Sequence, residues 1–156
     1  MDFQRSSGIL MPIASLPSPY GIGTLGKAAY EFADFLKAAG QKYWQLLPLG
    51  PTSYGDSPYQ SFSTFAGNPY FIDLDILIED GLLTKSEVQS KNWGDDPRNI
   101  DYGLIYESRF EILSLAKERG YEKDKDEIDE FVSKNHWLSD YALFMACKGY
   151  FKHQSW

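Results

Sequence analysis

The sequence predicts an α/β fold: a single β-α-β unit at the start, followed by a mainly helical segment. Three observations predict it. Gly8-Ile9-Leu10-Met11-Pro12 is a short apolar run of the kind that forms a fully buried strand. From about Leu25 to Ala39, the residues Ala28, Ala29, Phe32, Phe35, Leu36 and Ala39 recur at three- and four-residue steps, and Gly40 supplies a helix stop. Tyr43-Trp44-Gln45-Leu46-Leu47 reads as a second strand that ends at Pro48. Two strands joined by a helix run parallel, with a right-handed crossover. The α/β part covers residues 1–75 and the helical part residues 76–156.

Parallel order also locates the ligand face. In folds built from such units, ligands bind at the carboxyl ends of the strands. Two turn-rich loops leave those ends, 15–23 and 48–70. The second is dense in Pro, Gly, Ser and Tyr, and core packing requires no such concentration of hydroxyls, rings and fixed turns. On a rigid scaffold such loops carry binding, and here the composition points to a polyhydroxylated ligand. Ser57 precedes a proline, which biases it toward extended geometry. If residues 57–63 are extended, Ser57, Tyr59, Ser61 and Ser63 project to one side. Their rings would then cover the apolar faces of sugars while the hydroxyls meet sugar OH groups. The same residues also suit a well-knit structural loop, and spacing alone does not separate the two readings.

From Asp75 onward the pattern is helical. Thr84 and Glu87 have capping-box spacing before a short helix, and 92–99 reads as loop. A long helix from about Tyr102 to Arg119 places Tyr102, Tyr106, Phe110 and Leu113 on one stripe. The acidic run from Asp124 to Glu130 reads as a solvated face above Ile128, Phe131 and Val132, not as a metal site. Trp137 to Phe151 is apolar on most sides and predicts a buried helix.

The candidate chemistry is sparse. Cleaving a glycosidic bond with retention needs two carboxylates about 5–5.5 Å apart. Asp56, Asp73, Asp75 and Glu79 are the acids near the ligand face, and they form no convincing dyad. Asp56, between Gly55 and Ser57-Pro58, suits a tight turn in which it accepts backbone hydrogen bonds. Asp73 and Asp75 straddle Leu74 and read as an exposed face. His136 and His153 have no partner at ligand spacing. Gly21-Ile22-Gly23-Thr24-Leu25-Gly26 has its third glycine at the wrong spacing for a dinucleotide fingerprint, and Pro17 and Pro19 lengthen the loop beyond the required tight turn.

Composition narrows the partners. Hydrophobic residues make up 43% and charged residues 24%, ordinary for a soluble globular protein, whereas the aromatic share of 16% is high. A net charge of -7 disfavours a nucleic-acid backbone or an anionic membrane as partner. The single cysteine, Cys147, reads as a buried small hydrophobe and suits a reducing, cytoplasmic setting. The apolar run from Gly8 to Ala14 is broken by Pro12 and too short to span a bilayer, so it reads as strand and not as signal peptide.

Four segments together resemble one family. They are Ser15-Leu16-Pro17-Ser18-Pro19-Tyr20-Gly21-Ile22-Gly23, the run Gly40-Gln41-Lys42-Tyr43-Trp44-Gln45-Leu46-Leu47-Pro48-Leu49-Gly50-Pro51-Thr52, Gly55-Asp56-Ser57-Pro58-Tyr59-Gln60-Ser61 through Gly67-Asn68-Pro69, and Trp137-Leu138-Ser139-Asp140-Tyr141-Ala142-Leu143-Phe144. The chain resembles the amino-terminal part of amylomaltases, the bacterial 4-α-glucanotransferases of the α-amylase superfamily. The resemblance implies the start of a (β/α)8 TIM barrel and transfer of α-1,4-glucan segments between maltooligosaccharide chains. It implies a covalent glycosyl-enzyme intermediate and no metal or organic cofactor. On matching positions it implies that Ser57 and Tyr59 line donor-side sugar subsites, that Asp56, Pro58 and Gln60 shape the loop, and that Tyr54 and Tyr102 belong to an outer glucan-binding surface.

The family's nucleophilic Asp, acid/base Glu and transition-state-stabilising Asp lie in motifs downstream of this region, so no catalytic residue is expected in this chain. A complete barrel takes about 250 residues. Residues 1–75 are therefore expected to begin the catalytic barrel and 76–156 to be a helical segment of the same enzyme, one incomplete domain overall. The alternatives are a non-catalytic α-glucan-binding module, favoured by the aromatic content and missing dyad, or a fragment with no function of its own.

Overall fold

In the computed structural model, which describes residues 5–53, 55–152 and 154, two short strands run side by side. β1 (Gly8–Leu10) pairs in parallel with β2 (Tyr43–Gln45), in the register Gly8 to Tyr43, Ile9 to Trp44 and Leu10 to Gln45. Helix α1 (Lys27–Ala38) makes the crossover and ends where Gly40 takes φ +71°, a left-handed conformation that glycine adopts without steric cost. Ala29, Phe32 and Trp44 join Ile13 and Leu16 in a small core beneath the strands. Trp44 packs edge-on against Phe32 at 4.9 Å and donates its indole N–H to the Met11 carbonyl at 2.8 Å. The expected β-α-β unit is present.

β1 is not buried, contrary to expectation: all three of its residues are exposed, Ile9 at 40% and Leu10 at 52%. An apolar run becomes a buried strand only when both sheet faces are covered, and α1 covers one face of a two-stranded sheet.

The larger core lies among helices α2 (Leu74–Glu79), α3 (Lys85–Gln89) and α4 (Tyr102–Gly120). Leu74, Val88, Ile105 and Ile112 are fully buried there, and loop 15–23 inserts Tyr20 and Ile22 among them. Gly21 permits this insertion. It has φ +75°, and a Cβ there would stand 2.3 Å from the Trp93 carbonyl oxygen. Gly26 is likewise a point of close approach, where a Cβ would stand 1.9 Å from Asp73 Oδ2. Gly21 and Gly26 thus serve packing.

Local signals held where chain neighbours decide them. Thr84 and Glu87 form the expected reciprocal capping box on α3. Tertiary packing overrode other expectations. The buried stripe of α4 is Ile105, Arg109, Ile112 and Ala116, whereas Tyr106 and Phe110 of the expected stripe are 43% and 37% exposed. Both faces of α4 carry apolar groups, and the face that meets α2, α3 and loop 15–23 is the one buried. Asp75 is exposed as expected, but Asp73 is half-buried. It caps α2, accepting from the Asp75 and Ile76 amides at 3.0 and 3.1 Å, and also accepts from Thr24 Oγ1 at 2.5 Å. Asp75 accepts from the Tyr20 hydroxyl at 2.5 Å.

Helix α5 (Lys125–Lys134) carries the acidic run in solvent, with Phe131 also 54% exposed. Helix α6 (Leu138–Tyr150) was expected to be buried and is not. It holds no buried residue, Leu143 is 65% and Tyr150 82% exposed, and Cys147 is only half-buried. Its apolar faces exceed what the described residues cover.

Candidate functional site

The backbone of loop 48–70 is closed at its neck, where the Asn68 amide donates to the Leu49 carbonyl at 2.8 Å. Inside the loop, hydroxyls hold the chain to itself. Ser53 Oγ donates to the Gln60 carbonyl at 3.1 Å, and Ser57 Oγ accepts from the Tyr59 amide at 3.3 Å. Ser61 Oγ donates to the Ser63 carbonyl at 2.7 Å, and Ser63 Oγ accepts from the amides of Ala66 at 3.0 Å and Phe65 at 3.3 Å. Short hydroxyl-to-amide bonds of this kind compete with extended structure.

This bonding corrects the expected extended wall. The Gln60 amide donates to the Ser57 carbonyl at 3.0 Å, so residues 57–60, including Pro58, form a turn. Ser57, Tyr59, Ser61 and Ser63 therefore do not alternate to one side. Tyr59 is thrown outward and is 73% exposed, while Ser57 is half-buried at the base of the turn. Of the outer pair, Tyr54 lies outside the described residues.

Asp56 sits at a strained point. Its φ is +53° and that of the preceding Gly55 is +89°, and the Asp56 amide donates to the Ser53 carbonyl at 3.0 Å. Aspartate is one of the few side chains that tolerates this left-handed conformation. The tight turn expected here is present, and the bond that closes it comes from the Asp56 backbone. Burial pushes the Asp56 carboxyl above the usual carboxylate range.

Asp56 and Tyr102 come together. Both line an open groove of about 580 Å³ between loop 48–70 and the start of α4, shared with Asp95, Asp96, Asn99 and Asp101. Burial, then the charge of Asp56, pushes the Tyr102 hydroxyl up. Tyr70, whose ring centroid lies 6.3 Å from that of Tyr102, is pushed up to about 12 by burial first and then by Asp56. The acidic rim favours neutral, hydroxyl-rich ligands over anions, because a carboxylate accepts hydrogen bonds from OH donors and repels negative charge. Among the described residues, no group of three or more His, Cys, Asp or Glu is placed to hold a metal ion, and no helix is long and apolar enough to cross a membrane.

Aromatic contacts fix the far side of the loop. Phe65 stacks on Trp137 at 5.7 Å, and Phe62 stacks on Tyr141 at 6.3 Å, so the loop leans on the start of α6. At its downstream end lies a residue that sequence reading passed over. Arg109 of α4 is fully buried and donates from Nη2 to the carbonyls of Tyr70 and Ile72, the latter at 3.1 Å. Its guanidinium stands 5.8 Å from the Trp93 ring centroid, and burial lowers its pKa to about 10 against the pull of Asp73. The available signal was a charge in line with Ile105, Ile112 and Ala116.

The fold is that of an α/β chain with two loops at the carboxyl ends of its parallel strands. The family model described as 4-alpha-glucanotransferase (glycoside hydrolase family 77) matches residues 11–156, and the chain belongs to that family. A 4-alpha-glucanotransferase from Clostridium butyricum is 57% identical over 147 residues, covering 94% of this chain and 30% of the relative. One from Thermus thermophilus is 48% identical over 154 residues, covering 96% and 30%. Among solved structures, the amylomaltase from Streptococcus agalactiae in complex with acarbose superposes with a TM-score of 0.94 at 43% identity, covering 97% of this chain and 31% of that one. The chain spans about 30% of the length of the curated relatives it matches.

Proposed function

We propose that the whole protein transfers α-1,4-glucan segments between maltooligosaccharide chains, and that this chain supplies part of its sugar-binding face. The observation that carries the reading is the family match across residues 11–156, which includes the loop at the carboxyl end of β2. A neighbour at TM-score 0.94 binds acarbose, an analogue of maltooligosaccharides, which supports α-glucans as the ligand class.

In this reading β1, α1 and β2 begin a (β/α)8 barrel in residues 1–75, and 76–156 is a helical segment of the same domain. The catalytic carboxylates lie outside this chain. One attacks the anomeric carbon as the glycosidic bond breaks, and a second protonates the leaving oxygen. A glucan hydroxyl then gives its proton to that second carboxylate and displaces the first from the anomeric carbon, so two inversions give net retention. No metal or organic cofactor takes part, and the enzyme works in the cytoplasm.

This chain's residues bind and orient. Tyr59 offers a ring to the apolar face of a donor-side sugar, and Ser57 offers its hydroxyl beside it. Asp56, Pro58 and Gln60 hold the turn that presents them. Tyr102 and Tyr54 belong to an outer glucan-binding surface. The braced loop also helps to exclude water, which otherwise competes with the acceptor hydroxyl.

The test is incubation of the full-length protein with maltotriose. Longer maltooligosaccharides plus glucose are expected. Glucose and maltose without chain lengthening would sink the transferase reading.

A further inference from the structure

The two ligand-face loops meet at one short segment, residues 68–73. Asn68 closes loop 48–70 through its amide bond to the Leu49 carbonyl at 2.8 Å. The Leu25 amide, just past loop 15–23, donates to the Phe71 carbonyl at 2.9 Å, and Thr24 Oγ1 donates to Asp73 at 2.5 Å. Local structure supplies only short bonds within this segment, such as the Phe71 amide to the Asn68 carbonyl at 3.0 Å. The carbonyls on either side of Phe71, those of Tyr70 and Ile72, are both taken by Arg109 Nη2.

An arginine is a costly choice for this task. It occupies the buried stripe of α4, is itself fully buried, and has no partner for Nε or Nη1 among the described residues. Replacing a buried charged group by an apolar residue of similar volume is often neutral or stabilising, so stability alone is a weak account of this arginine. Its rigid planar fork fixes the position of acceptors in a way a flexible ammonium or an apolar side chain does not.

We infer that Arg109 is a positioning residue of the glucan site, which sets the geometry of both ligand-face loops by pinning segment 68–73 to α4. The inference rests on the glucanotransferase reading for its kinetic consequence. Its structural consequence stands apart from that reading.

The experiment uses the full-length protein with Arg109→Met and Arg109→Lys, reading maltotriose kinetics and amide hydrogen exchange. Arg109→Met is expected to raise KM about tenfold with kcat within about twofold, the signature of lost uniform binding. Amides across 49–68 should exchange faster than in the parent. Arg109→Lys keeps the charge but reaches fewer carbonyls, so it should recover part of both effects. Unchanged exchange across 49–68 in Arg109→Met overturns the inference, as does a fall in kcat at constant KM. Should the methionine variant fail to fold, parental KM and exchange in Arg109→Lys would overturn it equally. A parent protein without transfer activity sinks the glucan reading alone, and the exchange comparison then decides the role of Arg109.

Discussion

Tyr59 stands 73% exposed on a turn whose base is held by Ser57, with Asp56 and Gly55 in left-handed conformations just before it. Tyr30, Tyr43 and Tyr150 are 66% to 82% exposed as well, so exposure alone does not single out Tyr59; the argument for a ligand contact is its place in the loop motif that the family shares. Tyr59→Ala in the full-length protein should therefore leave the melting temperature nearly unchanged and lower kcat/KM for maltotriose about tenfold. An unchanged kcat/KM would remove Tyr59 from the site. At this scale residue identity was legible but geometry was not. The density of serines in 53–63 announced a special loop, but all four of those hydroxyls bind the loop's own backbone. Arg109 was passed over for the opposite reason. A lone charge within an apolar stripe is usually solvated, and only the positions of the Tyr70 and Ile72 carbonyls make it a buried tie.

Short elements follow local chemistry, and α3 shows how much of it titrates. Glu87 bonds the Thr84 amide at 2.8 Å and takes a two-pronged contact from Arg119, at 2.6 and 2.9 Å. Arg119 first, then the Thr84 hydroxyl and amide, hold the Glu87 carboxyl down to about 2, against an ordinary 4.5. A carboxyl lowered on folding stabilises fully above its ordinary value, and the effect fades as pH falls from 4.5 toward 2. Glu87→Gln preserves the capping geometry and removes the charge. It should lower the melting temperature at pH 7, with the difference from the parent closing by about pH 2. A difference that persists undiminished in acid would show that the charge is not the cause. The cap was readable because its partners are three residues apart. The burial of α6 was not, because an apolar helix of thirteen residues records only that some surface must cover it.

On the scale of the molecule, two cores of unequal quality share one chain. The helical core around Ile105 and Ile112 is closed, whereas the β-α-β unit leaves Ile9, Leu10, Phe35 and Tyr43 from 40% to 66% exposed. A two-stranded sheet has both of its edges unpaired and so is a template for association. We predict that residues 1–156, expressed alone, aggregate or melt over a broad range. A sharp, concentration-independent melt of a monomer would contradict this. The same feature bears on the alternative of an autonomous glucan-binding module, since such a module needs a closed fold to present Tyr59. Titration of the isolated chain with maltooligosaccharides checks it, and absence of binding counts against that alternative.

The sequence by itself determined the β-α-β order, the parallel pairing, the capping box of α3, the glycine stop of α1 and the two loops at the strand ends. All of these depend on residues close in the chain or on the handedness of L-amino acids. It also carried the family, because several long motifs in fixed order do not recur by chance across 11–156. Only the tertiary structure decided which face of α4 is buried, how the loop's hydroxyls are used, and that Arg109 joins α4 to segment 68–73. The Arg109 tie joins groups 37 to 39 residues apart, where a buried polar group takes its role from the partner it finds, whereas the loop's hydroxyls bond within seven residues, where several local partners compete.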